Sequence, residues 1–145
     1  MKRLAVTNLV PVLTAAITAG APGVLGVSAQ EKKEPYVPTA ALKTLAEKPL
    51  HGVDGKQVTI LHGAFPGGWV GGKHYHTGPV YVYVLEGSFT VDEKGKPQQT
   101  FTPGQLYEEP IGTPMQARNI STSEQLRILL FQVHAPGEPL AYKVE

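Results

Sequence analysis

Beyond Val53-Asp54-Gly55-Lys56 the chain breaks into short runs rich in β-branched and aromatic residues, each closed by Gly, Pro or Asn. This punctuation constrains the fold more than any other feature, because no run after residue 50 is long enough or periodic enough for a convincing helix. The expected strands are Gln57 to Phe65, Val70 to His76, Pro79 to Glu86, Ser88 to Asp92, Gln98 to Thr102, Gln105 to Glu109, Met115 to Asn119 and Gln125 to His134. Glu93-Lys94-Gly95-Lys96 reads as a hairpin turn and Pro103-Gly104 opens another. Such a succession predicts an all-β sandwich or barrel.

Two runs, Val80-Tyr81-Val82-Tyr83-Val84-Leu85 and Ile128-Leu129-Leu130-Phe131, are apolar at both parities of a strand. One face would fill a barrel interior and the other would pack on a second sheet or on the second subunit of a homodimer. With 145 residues the chain suffices for one core, and with no Cys that core must hold without disulfides.

The first 29 residues form a separate piece. Lys2 and Arg3 precede an apolar stretch from Leu4 through Leu25, which ends in Val27-Ser28-Ala29 before the next charge at Glu31. This is the layout of a secretory signal peptide, with cleavage expected after Ala29 and a periplasmic or secreted product. A membrane anchor is the competing reading, and Pro11, Pro22 and the three glycines of this stretch argue against it. Residues 30–49 are expected as a flexible or irregular N-terminal arm, in which Thr39 to Glu47 could form helical turns or an edge strand; residues 50–145 are the barrel domain. Cleavage lowers Lys and Arg from 13 to 11 against 12 Asp and Glu. A near-neutral domain offers no clustered positive charge for nucleic acid or an anionic membrane, which leaves a small molecule as the expected partner.

The chemistry concentrates in Gly71-Gly72-Lys73-His74-Tyr75-His76. Alternation along a strand sends His74 and His76 to one face with backbones roughly 6.5 to 7 Å apart, so both imidazoles can converge on one metal. Nucleophilic catalysis finds no support in the absence of Cys and of a Gly-x-Ser-x-Gly elbow.

The segment Gly71 to Pro79, followed by Tyr83-Val84-Leu85-Glu86-Gly87, resembles the first motif of the cupins, G-x5-H-x-H-x3-4-E-x6-G. Gly104-Gln-Leu-Tyr-Glu-Glu-Pro110-Ile-Gly112, followed by Asn119, resembles the second, G-x5-P-x-G-x2-H-x3-N. The likeness extends over roughly residues 50 to 140 and implies a jelly-roll-like antiparallel β-barrel. It also implies a metal held by His, His, Glu and His, from which this chain departs twice. Val80 stands at the expected Glu and Met115 at the expected second-motif His.

Only His74 and His76 carry over directly. Glu108 and Glu109 are candidate replacements for the carboxylate, and Glu109 is preferred for its place beside Pro110 and its parity with Tyr107, although parity alone does not say which face is inside. Two His and one carboxylate would form the triad of non-haem iron sites, and iron, manganese, zinc, nickel or copper would suit it. Met115 admits cuprous copper as a further reading, against ordinary gap-filling by a flexible side chain. His62, Val80, Tyr107, Met115 and Phe131 are the expected pocket lining. A metal-dependent enzyme with dioxygenase-like chemistry on an enol, phenol or carboxylate, a non-catalytic ligand-binding barrel and a purely structural domain are the functional readings that remain.

Overall fold

The computed structural model describes residues 33–36, 38 and 41–144, and the expected signal peptide lies outside the described residues. The described residues contain no helix and form ten strands. These are β1 (Ala41–Pro49), β2 (Gln57–Phe65), β3 (His74–Tyr75), β4 (Val80–Glu86), β5 (Phe89–Glu93), β6 (Gln99–Phe101), β7 (Leu106–Glu109), β8 (Met115–Arg118), β9 (Leu126–His134) and β10 (Tyr142–Lys143). They make two five-stranded sheets, ordered β1-β2-β9-β4-β7 and β10-β3-β8-β5-β6, and every ladder is antiparallel.

Of the readings open for Thr39 to Glu47, the structure selects the edge strand. Residues Ala41 to Pro49 pair with β2, so the barrel's sheet begins at Ala41 rather than at residue 50. The expected strand from Val70 to His76 shrinks to His74–Tyr75, with Val70 in an isolated bridge to Arg118. The glycines explain the loss: Gly71 N–H donates to the Ala117 carbonyl, and Gly72 N–H leaves the ladder for the Tyr36 hydroxyl at 2.8 Å.

The apolar runs divide by parity. Val80, Val82 and Val84 are fully buried while Tyr81, Tyr83 and Leu85 point outward, and Leu126 and Ile128 are buried while Leu129 and Phe131 share the outer face. The inner residues join Phe65, Phe89, Val91, Tyr107, Met115 and Ala117 in one core between the sheets. Burial of this set is the main force holding the sheets together.

Register aligns the inner face of the first sheet in rows. Thr59, Gln132, Val80 and Glu109 form one row across β2, β9, β4 and β7. Leu61, Leu130, Val82 and Tyr107 form the next, followed by Gly63, Ile128 and Val84. Polar side chains are thus gathered at one end of the barrel.

This parity makes a direct expectation for stability. Leu126→Ala should cost about 2 to 5 kcal/mol, the range for a buried Leu. Tyr83→Ser, on the exposed side of the same sheet, should stay within about 0.5 to 1 kcal/mol. Equal losses in urea unfolding would contradict the assigned faces.

Candidate metal centre

His74 enters from β3 and His76 from the loop that follows it. Both are buried, with Tyr75 between them turned away to stack on Tyr142. The two imidazoles stand edge to face with centroids 5.0 Å apart. The loop reaches its place because Gly78 passes directly against the Val133 carbonyl, where a Cβ would collide. Gly112 N–H ties the opposite loop to the His76 carbonyl at 2.8 Å.

Each ring is oriented by a backbone carbonyl. His74 Nδ1 lies 2.9 Å from the Gly72 carbonyl and His76 Nδ1 lies 2.7 Å from the Leu140 carbonyl. A carbonyl only accepts, so each Nδ1 carries the proton and each Nε2 presents its lone pair elsewhere. Metal-ligating histidines need this kind of support.

Glu109 supplies the third group. It sits directly opposite Val80 in the β4–β7 ladder, is 3% exposed, and places Oε2 at 2.7 Å from His76 Nε2. Residues opposite one another in an antiparallel pair share a face, so the carboxylate expected at position 80 is delivered from the neighbouring strand. Candidate ligand atoms of His74, His76 and Glu109 all lie within 4.8 Å of one another. Glu108 points outward to the Tyr81 hydroxyl at 3.4 Å and is not part of the group.

Among the described residues, His76 Nε2 and Glu109 Oε2 have no hydrogen-bond partner apart from each other. Two lone pairs cannot stay this close without a cation between them, whether a proton or a metal. Burial opposes protonation of His76, but the hydrogen bond and charge of Glu109, with the Leu140 carbonyl, raise its pKa above the ordinary histidine value. Burial lowers that of His74, against the opposing pull of the Gly72 carbonyl and Glu109. Burial thus favours the neutral form of His74, while Glu109 favours a proton on His76, the position a divalent cation would take. The donor set, two neutral-capable imidazoles and a carboxylate, fits such an ion.

The triad opens onto a cavity of about 470 Å³. None of the five residues expected to line it does so. His62 and Phe131 lie on the outer face, His62 accepting from Arg127 Nε at 3.3 Å and Phe131 paired between Ile60 and Tyr81. Val80, Tyr107 and Met115 are core residues outside the cavity lining. The Tyr107 hydroxyl donates to Glu93 at 3.0 Å, and burial raises its pKa. Met115 pairs with His74 across β3 and β8, is buried in the core, and is not among the residues that line the cavity.

Three contributors escaped the sequence reading. Tyr36 stacks on His74 with centroids 4.5 Å apart and planes within 11°. The Leu140 carbonyl orients His76, and Gln132 donates to the same carbonyl at 2.5 Å. Tyr36 is 38 positions from His74 and carries no local signal. Gln132 did leave one, as the polar residue that continues the inner parity of Ile128 and Leu130.

A family model described as "Cupin domain" matches residues 61–131. The chain carries a cupin domain. Among solved structures, this domain is similar to the DMSP lyase DddQ from Ruegeria pomeroyi, with 19% identity and a TM-score of 0.55 over 68% of this chain and 49% of that one. The chain therefore spans about half the length of that lyase. It is also similar to KdgF from a Halomonas species, with 26% identity and a TM-score of 0.50 over 63% of this chain and 76% of that one. An RmlC-like cupin with a double-stranded β-helix fold from Methanocaldococcus jannaschii gives 21% identity and a TM-score of 0.51 over 73% of this chain and 94% of that one. No curated protein matches the chain. Where the cupin motif expects its Glu this chain has Val80, and Glu109 is the carboxylate that lies beside the two histidines.

Removing one partner of the buried pair should be costly in the metal-free protein. His76→Ala, which strands Glu109, should lower unfolding free energy by about 3 to 5 kcal/mol at neutral pH. Denaturant titration of metal-free protein checks this, and a loss below about 1 kcal/mol would mean that the pair is not closed as described.

Proposed function

We propose that this cupin binds one divalent metal through His74, His76 and Glu109 and uses it to bind and polarise a small oxygen-bearing molecule in the adjoining cavity. The observation that carries this reading is the pair of imidazole Nε2 atoms, freed by backbone carbonyls, that meet a buried carboxylate at the cavity wall. A bound divalent ion would supply Lewis-acid polarisation of an oxygen ligand. Three protein ligands leave coordination positions open, which is the arrangement that oxygen-dependent enzymes of this donor set use. Dioxygenase-like turnover is the enzymatic form of the proposal.

The chain's own residues account for the rest of the work. Tyr36 covers one face of His74 and, with Pro35 and Pro38, closes part of the cavity wall against water. The Leu140 carbonyl keeps the His76 Nδ1 proton in place, so that the reactive lone pair stays on Nε2. The charged and apolar layout of the N-terminal 29 residues supports export, and the working compartment is accordingly proposed as periplasmic or extracellular.

A metal-free binding barrel is the second reading, favoured by the ability of His76 and Glu109 to close on each other through a proton. The two separate in one experiment. Metal-stripped protein is reconstituted singly with iron, manganese, zinc, nickel and copper, and bound metal per chain is measured beside His74→Ala/His76→Ala and Glu109→Ala variants. Near one equivalent is expected for the parent, background for the double variant, and at least a tenfold weaker site for Glu109→Ala. Equal background in all three would leave the metal-free barrel.

A further inference from the structure

The cavity beside the triad has a strong internal gradient. Its first-sheet wall begins at the row of Gln132 and Glu109 and continues through Leu61, Leu130 and Val82 to Ile128. Each row is two residues further along the strands, so the wall stays apolar for roughly 13 Å beyond the triad. Phe65 and Phe89 line the cavity too, and among the described residues no Lys or Arg does. A polyol, sugar or multiply charged acid would strand its polar groups against that wall, at about 1 to 3 kcal/mol for each group left unpaired. An apolar body would instead gain from every methylene buried.

The polar end carries one more unspent group. Gln132 is 0% exposed, and its Nε2 is committed to the Leu140 carbonyl, while Oε1 is buried with no partner. Leu140 accepts from His76 as well, so one carbonyl fixes both the imidazole and the amide. With its nitrogen turned to that carbonyl, the amide leaves a buried, unpartnered acceptor oxygen on a residue that borders the cavity of the triad. Orphaned buried acceptors are rare in native proteins, and a donor carried by a ligand is a partner that would satisfy this one.

Resting on the metal-binding reading above, we infer that the cavity takes an elongated, largely apolar molecule. Its single polar head offers a metal-binding oxygen beside an O–H or N–H group that donates to Gln132 Oε1. Enols, alkyl catechols and 2-hydroxy acids have this head chemistry. The cavity volume of about 470 Å³ falls within the range of small-molecule sites.

Straight-chain hydroxamic acids reproduce both elements, with chelating oxygens next to an N–H donor on an alkyl chain of chosen length. Zinc-loaded protein is titrated calorimetrically with the series from acetohydroxamic to decanohydroxamic acid, and with glucuronate. Affinity should rise about fourfold per added methylene until the chain fills the cavity. Glucuronate should bind at least a hundredfold more weakly than the best hydroxamate. Compared at saturating zinc, Gln132→Leu should weaken every hydroxamate about tenfold.

A flat chain-length series in the parent, or glucuronate binding as well as the long hydroxamates, would overturn the apolar-body inference whatever the variant does. Unchanged affinities in folded Gln132→Leu would overturn the role of Gln132. Zinc retained without any hydroxamate binding would overturn this inference and leave the metal reading standing, whereas failure of the parent to hold zinc would overturn both.

Discussion

His76 Nε2 and Glu109 Oε2 are held 2.7 Å apart in a place where water cannot separate them. Much of the local structure exists to keep them there. The Leu140 carbonyl prevents the imidazole from rotating its protonated nitrogen toward the carboxylate, and Gly78 lets the His76 loop lie flat on β9. Both atoms offer lone pairs, so the arrangement requires a cation. Without a metal a proton would fill that role, and against burial the Glu109 contact raises the His76 pKa, whereas burial lowers that of His74.

Glu109 reaches the histidines from the strand beside the one on which the cupin motif expects its carboxylate. Positions 80 and 109 are opposite partners in an antiparallel ladder, so a carboxylate lost from one strand can be replaced from the next across a single strand spacing. Val80 then closes the core behind the ligand, fully buried. Chemistry and packing exchange positions within one row.

The same sheet imposes the gradient of the cavity. Rows two residues apart go from polar to apolar in one step, and the outer parity of the same strands carries Tyr81, Tyr83, Leu129 and Phe131. Chain segments distant in sequence finish the enclosure. Tyr36 N–H bonds to the Ala141 carbonyl, and Lys143 N–H to the Glu34 carbonyl, so the N- and C-terminal segments brace one another beside His74.

Most strands were legible because β-branched alternation and Gly or Pro punctuation act locally, and β2 matches the expected Gln57 to Phe65 at both ends. The His74–His76 pair was legible for the same reason, since period-two alternation places both on one face. Parity could group Val80, Val82 and Val84, but it could not say which group faced the core. That ambiguity put Phe131 and His62 in the expected pocket lining and left Glu108 beside Glu109 as a candidate. The sequence by itself determined the strand succession, the paired histidines and the lack of a carboxylate at the usual position. Tertiary structure alone decided that Glu109 faces inward, that Met115 packs in the core, and that Tyr36, Gln132 and Leu140 meet the histidines. Those outcomes depend on which strands become neighbours and in what register, and that is fixed by burial summed over the whole sheet rather than by any local pattern.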